Sequence, residues 1–450
     1  MKDINLKTEK ISSLLWQLSI PAILGMLSSA IFNIVDYSFV GKISPYALTA
    51  VGITMPVQII QMAFILLIGV GTSSLISIKI GEGEIEVAED ILYLAFKYII
   101  IFLILFAALF MIFLDPILQM LNISEQVYDY AKDYIVIIIL GSIIGVPGYC
   151  LNNSLRSIGQ AKISMNIIVI TSIMNIILDP IFIFVFRLGI GGAAIATVIS
   201  QTTLTVYVIY VFVRRKDFLI HLKIRKVQKE FSLLLESLRR GFPTFNVQIL
   251  GTLVSFFLNN SLLKYGSDLD VASLTIMTGI YNFYHMAIIG ITQGNNTICG
   301  YNIGAKLYDR VKKSLELSLL YTFILSLVLY LIILLYPQLL VGIFTDDLTL
   351  LDNTSLGMKY YLSMLPLIGF HTVSSQYFQV AGKVRSSNFL GFLKHGIIIF
   401  PSVLILAPRY GTKGIYISNG LSDGIASAVG ILYILIELKE LKRLADQSNL

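Results

Sequence analysis

The sequence predicts an all-α polytopic membrane protein, with twelve transmembrane helices in two pseudo-symmetric six-helix lobes. Three observations predict it. Of the 450 residues, 56% are hydrophobic and 13% charged, where a soluble domain carries about a quarter charged. The apolar residues fall into twelve stretches, each near the roughly 20 residues that a helix needs to cross a bilayer. The second half also repeats the punctuation of the first.

The spans are taken in order. Met1 to Lys10 is polar and charged, and the first span, about 13–38, is too long for the apolar core of a signal peptide. The second, 48–78, is long enough to tilt or protrude and carries Gly69-Val70-Gly71. The third and fourth, 91–114 and 127–150, are strongly apolar. The fifth, 162–186, holds the run Asn175 to Pro180, and the sixth, 191–213, carries Thr197 and Gln201. A basic stretch, 214–240, separates the lobes and reads as a solvated cytoplasmic connection. The second lobe holds spans at 241–263, 271–299, 314–336, 357–381, 387–407 and 414–437. The predicted domains are therefore 1–213, the linker 214–240, and 241–450.

The halves align at an offset near 222. Pro21 meets Pro243, Gly71 meets Gly294, Gly159 meets Gly382, and Gly189 meets Gly411. Six spans per half place both halves in the membrane in the same sense, as a parallel repeat. The glycines in spans two and eight, Gly69, Gly71 and Gly290 to Gly294, fit either a bent helix facing a pathway or close helix packing.

Lys and Arg set the orientation. Of the 33, twenty-four fall in segments on one side, from Lys2, Lys7 and Lys10 to Arg443, and five on the other: Lys42, Arg187, Lys264, Arg409 and Lys413. Both termini are expected in the cytoplasm of a cell whose plasma membrane the chain spans. The net charge of +6 follows from this topology and calls for no nucleic acid. Cys150 and Cys299 lie at cytoplasmic span ends, where no disulfide is expected.

Asp36 and Asp179 sit deep in apolar spans with no Lys or Arg nearby on those helices. A carboxylate there costs about 2.5–3.5 kcal/mol on insertion scales, so a mobile cation, H⁺ or Na⁺, is its natural partner. Asn33 and Asp36 are three apart, Asn175 and Asp179 four apart, and Thr197 and Gln201 four apart, so each pair shares a helix face. Asn152 ends span four. These residues make an oxygen-rich pocket if the faces meet, and oxygen suits hard cations. A capping role for Asp36, a span-end position before a proline for Asp179, and interhelical hydrogen bonding for the amides and threonine are the alternatives. Pro180 removes the partner of the Ile176 carbonyl, a hinge beside Asp179.

At the same offset the second lobe has Leu258 for Asp36 and Pro401 for Asp179. Asp423 there reads as a lone intramembrane carboxylate, a secondary site or an interhelical hydrogen-bond partner. Tyr281, Gln293, Asn296 and Tyr377, with Asn33 and Gln201, are candidates to line a substrate cavity, since aromatic faces attract flat organic cations. Packing and interfacial belts are the commoner use of such aromatics. His285 and His371 stand without Cys, Asp or Glu partners and are not read as metal ligands.

The chain resembles the MATE (multidrug and toxic compound extrusion) transporters over its full length. The resemblance is carried by Leu18 to Pro21, Asn33 to Asp36 with Phe39 to Gly41, and Ala50 to Gly52. Asn175 to Pro180, Gly192 to Thr197 and Gly300 to Ala305 complete it. It implies two lobes around a central cavity, alternating access, and drug export driven by H⁺ or Na⁺. In the prokaryotic branch it looks most like, a first-lobe cation site falls on Asp36, Asn175, Asp179 and Thr197, with Asn152, so these could hold Na⁺. Phe32 stands where helix one commonly has Tyr, and Asn295-Asn296-Thr297 where helix eight commonly has a Gln-Pro pair.

The expected function is a secondary-active exporter of cationic or amphipathic small molecules in exchange for H⁺ or Na⁺. It needs no cofactor and is expected to work as a monomer in the bilayer. The alternative is a flippase of a lipid-linked saccharide, from the related MOP superfamily, which should line its cavity with Arg or Lys. An enzyme is disfavoured because four scattered histidines and two cysteines supply no nucleophile or metal set. A channel is disfavoured because the polar groups gather in one lobe.

Overall fold

A computed structural model describes residues 5–121, 124–216 and 218–448; Lys2, counted in the charge balance above, lies outside them. The described chain is mostly helical, with no strand among the described residues. Large apolar side chains such as Leu105, Leu109 and Ile112 stay exposed. In a bilayer, lipid covers such side chains and every backbone polar group is satisfied within its own helix.

The first six spans are α1 (Ile11–Ile43), α2 (Pro45–Glu82), α3 (Ile85–Ile112), α4 (Glu125–Gly145, continued by Pro147–Ser157), α5 (Ala161–Pro180, continued by Ile181–Val185) and α6 (Gly189–Arg214). The next three are α7 (Glu230–Tyr265), α8 (Asp268–Gly304) and α9 (Tyr308–Leu335). Then come α10 (Leu348–Tyr361 with Leu365–Val380), α11 (Val384–Phe392 with Leu393–Ile398 and on to residue 410) and α12, which runs on to Ser448. Several spans are interrupted. Pro147 bends α4 by 42°, and α10 is broken between Tyr361 and Leu365. A positive φ at Gly411 separates α11 from α12.

The internal repeat is visible in backbone geometry as well as in residue identity. Gly159 and Gly382 both have left-handed φ, 83° and 78°. So do Gly189 and Gly411, at 56° and 58°. These are conformations that a side chain disfavours.

Two compact units emerge: Leu24–Gly241, and Met1–Ile23 with Phe242–Leu450. This division differs from the lobes drawn at 213 and 241. The first half of α1 packs in the second unit, where Trp16 stacks on Tyr321 at 5.0 Å and a Cβ on Gly294 or Gly290 would collide with Ser19 or Ile23. The first half of α7 packs in the first unit, where Gly71 and Gly241 let α2 and α7 touch through their backbones. Pro21 and Pro243 sit where each helix passes from one unit to the other, and a mid-helix proline removes a hydrogen bond there. The glycines of spans two and eight therefore serve close packing, which decides between the two readings left open above.

The linker is docked in part, by Phe218, Ile220, Leu222 and Val227, which are buried. Glu89 on α3, 4% exposed, accepts from the backbone N–H of His221 at 3.0 Å and from Lys223 Nζ at 2.9 Å. Asp90 pairs with Arg225 at 2.6 Å, and Lys97 and Tyr98 both reach Glu230. Lys223 and Arg225 are thus spent on α3, while Lys216, Lys226 and Lys229 stay exposed, and from Glu230 onward the stretch is already α7.

Candidate functional site

In the first unit the site rests on close approach of α4, α5 and α6. Gly192 lies against the backbone of Phe182, which brings α6 onto the end of α5. Gly141, Gly145 and Gly148 let α4 meet α6 at Val198, Gln201 and Thr205. Thr205 fastens that contact, accepting from Gly148 N–H at 2.9 Å and donating to Gly145 O at 2.5 Å. With β-carbons absent on one face, polar side chains from three helices reach one place.

That place is a narrow pocket lined by Phe32, Tyr149, Thr171, Ser172, Asn175, Thr197, Ser200 and Gln201. Asn175 Nδ2 donates to Asp179 Oδ1 at 3.3 Å, with Thr197 Oγ1 at 3.5 Å. Asp179 is 0% exposed and Asp36 5%, and the two carboxyl groups lie near enough to interact. Asn152, three residues on from Tyr149, is buried as well.

The decisive feature is a set of oxygens. Asp36 Oδ1, Asp179 Oδ2, Asn152 Oδ1 and Asn175 Oδ1 are all buried with no hydrogen-bond donor. Buried acceptors are ordinarily satisfied, and each exception needs a cause. Carboxylate oxygens only accept, so two facing carboxylates cannot satisfy each other unless a proton lies between them. Two like charges in a low-dielectric interior also repel strongly. A proton or a small hard cation relieves both problems, and an all-oxygen donor set fits either. Among the described residues no His, Cys, Asp and Glu cluster suits a transition metal.

The sequence-derived residues divide. Asp36, Asn175, Asp179 and Thr197 come together, and Gln201 lines the same pocket. Asn33 is exposed, whereas Asp36 is buried. Tyr377 is corrected to a packing residue, 1% exposed, with its hydroxyl committed to Glu437 at 2.9 Å. Gln293 and Asn296 are half-buried on α8, and Asn296 donates to Gln376 at 3.1 Å. Pro180 does not kink α5 sharply; the next turn, Ile181–Val185, widens into a π-helix instead. Phe32 gives the pocket an apolar wall. Helix α8 runs unbroken past Asn295, whose Oδ1 accepts from Ser314 at 2.8 Å.

Thr171, Ser172 and Ser200 were missed. They lie one turn from Asn175 and Thr197, so helical spacing could have found them. Asp423 is not the lone carboxylate of the sequence but an interhelical partner: Lys394 Nζ lies 2.7 Å from its Oδ1, with side chains 10% and 2% exposed. Two opposite charges in consecutive apolar spans were the available signal.

Comparison with known proteins agrees with this architecture. The profile of the MatE family matches residues 21–181 and 243–403, one stretch in each half. The chain is 26% identical over 423 residues to the multidrug export protein MepA of Staphylococcus saprophyticus, covering 92% of both chains. It is 26% identical over 418 residues to MepA of Staphylococcus aureus strain N315, again at 92% of both. An outward-facing multidrug resistance MATE transporter of the MOP superfamily superposes with TM-score 0.92 over 98% of this chain and 99% of that one, at 24% identity. A MOP superfamily transporter from Pyrococcus furiosus gives 0.91 over 98% and 99%, at 23%. At these identities the structural matches speak to the fold alone. Matched by the family profile in both of its halves, the chain belongs to the MatE family of membrane transporters and is not an enzyme.

Proposed function

We propose that this chain exports cationic or amphipathic small molecules across the plasma membrane in exchange for H⁺ or Na⁺. The cation is held by Asp36 and Asp179 with Asn175, Asn152 and Thr197. The observation that carries this reading is the pair of buried carboxylates, each with an oxygen lacking a donor, beside Asn175, whose Oδ1 lacks one too. The MepA relatives, named as multidrug exporters, support the substrate class. Bound cation offsets the two charges and lets α1, α5 and α6 stay packed; its release leaves them repelling. A ligand shifts such an equilibrium only by its differential affinity for the two states, so drug and cation favour different arrangements and antagonise each other. The decisive experiment is drug efflux from proteoliposomes with Na⁺ and pH gradients imposed separately. Transport indifferent to both gradients rejects the coupling.

The wide turn after Pro180 is the element proposed to respond. Pro180→Ala restores a donor to the Ile176 carbonyl and is expected to weaken the antagonism more than it weakens either affinity. Drug binding measured across pH and Na⁺ concentration tests this, and undiminished antagonism in the variant removes the hinge. A flippase for anionic headgroups is less well supported, because the deeply buried Lys394 is already neutralised by Asp423. Both termini are proposed to face the cytoplasm, from the distribution of Lys and Arg. Reporter fusions at residue 450 and in the 264–268 loop should give opposite sidedness; the same sidedness at both overturns the topology.

A further inference from the structure

The second unit contains a polar cluster that the proposed cation exchange does not use. Lys394 lies within the π-helical turn Leu393–Ile398 of α11, a distortion that often marks functional sites. Its ammonium contacts Asp423 Oδ1 at 2.7 Å, donates to the Tyr281 hydroxyl at 3.1 Å and lies 5.3 Å from that ring's centre. Asn419 Nδ2 donates to Asp423 Oδ2 at 3.3 Å. Ser422 Oγ donates to the Lys394 carbonyl at 2.7 Å, tying α12 to the distorted turn.

Among the described residues, Lys394 and Asp423 form no ion pair except with each other. His285 on α8, His371 on α10 and the neighbouring His395 lie within electrostatic reach of the ammonium. The Tyr284 and Tyr361 phenols lie within reach of Asp423. Three of the chain's four histidines thus lie near this fixed positive charge. Tyr281 stacks on His285 at 5.2 Å, and His371 Nε2 is occupied by the Leu390 carbonyl at 3.0 Å.

Position gives the cluster its meaning. By the offsets of the internal repeat, Lys394 falls at Thr171 or Ser172, Asn419 at Thr197 and Asp423 at Gln201. Thr171, Ser172, Thr197 and Gln201 all line the first-unit pocket. The two units therefore place polar groups between equivalent helices. In the first, acceptor oxygens lack donors. In the second, neither carboxylate oxygen of Asp423 does, because an ammonium and an amide reach them.

We propose that the second unit holds a cation site whose resident cation is the chain's own Lys394 ammonium. Asp423, Tyr281 and Asn419 form a carboxylate-and-oxygen cradle that takes a small monovalent cation or a proton once that ammonium is removed. Being covalently attached, the ammonium does not exchange with solution, so exchange belongs to the first unit alone. This restriction of exchange to the first unit rests on the proposed function; the site itself does not.

The test is cation uptake by purified full-length protein in detergent. Radioactive Na⁺ binding and proton release to an indicator dye are compared in wild type, Lys394→Met, Lys394→Gln and Lys394→Met/Asp423→Asn. Each single Lys394 variant is expected to bind about one more monovalent cation per chain than wild type, charge for charge. The double variant should return to the wild-type count. No gain in the single variants, or a gain that persists in the double variant, overturns the proposal. If both single variants fail to fold in Na⁺-free neutral buffer, recovery of monodisperse protein by Na⁺ or mild acid supports the site, and failure under every cation condition overturns it. Loss of the first-unit reading shows separately, as wild-type uptake unchanged by Asp36→Asn/Asp179→Asn. The gain at Asp423 is a difference from wild type and does not depend on that result.

Discussion

Asp179→Asn is expected to reduce drug export to the level of membranes without the transporter while leaving the protein folded. The substitution keeps the shape of the side chain and its hydrogen bond with Asn175 but removes the charge that a cation or proton neutralises. It also removes the repulsion with Asp36, which relaxes the unit rather than straining it. Asp36→Asn is expected to act alike, since one remaining carboxylate lacks the close second charge that makes cation uptake favourable. Efflux measured at matched expression, with monodispersity as the control for folding, checks both. Wild-type resistance in both variants would place the coupling elsewhere. The double variant should lose no more than either single one, because the two groups act as one site.

The second large effect is on stability. Removing one partner of a buried ion pair costs about 3–5 kcal/mol, because the other charge is left without compensation. Asp423→Asn leaves the Lys394 ammonium, 10% exposed, with only the Tyr281 hydroxyl and an amide. It should lower the thermal unfolding midpoint markedly, and Lys394→Met/Asp423→Asn should recover most of the loss. A folded protein with wild-type midpoint after Asp423→Asn alone would show that the pair contributes little. This effect on stability differs in kind from that of Asp179→Asn, which acts on coupling.

The fold was legible because its determinants are one-dimensional. Apolar length, Lys and Arg asymmetry and the repeated Pro21/Pro243 and Gly189/Gly411 pairs need no knowledge of packing. The first-unit pocket was partly legible because Asn175 and Asp179, and Thr197 and Gln201, declare shared faces by spacing alone. What spacing cannot give is which faces meet. Asn33 shares a face step with Asp36 yet stays exposed, and Tyr377 disappears into a core with Cys299 and Leu315. The Lys394 and Asp423 pairing needed the approach of α11 and α12. The docked linker was missed because charges facing α3 and charges facing water look the same in a string of letters.

The divided allegiance of α1 has a consequence for biosynthesis. Ser19 finds the Ile291 carbonyl, and Arg310 Nη2 finds the carbonyls of Leu6 and Glu9, at separations of 272, 304 and 301 residues. At roughly 5–20 residues per second, a ribosome needs on the order of tens of seconds to supply those partners. The earliest transmembrane segment therefore enters the membrane long before the surface it packs on exists. Its small and polar positions around Ser19 must stay soluble in lipid, or be shielded by the insertion machinery, for that interval. Substitutions there should reduce yield in a living cell more than they reduce the stability of protein that has already matured.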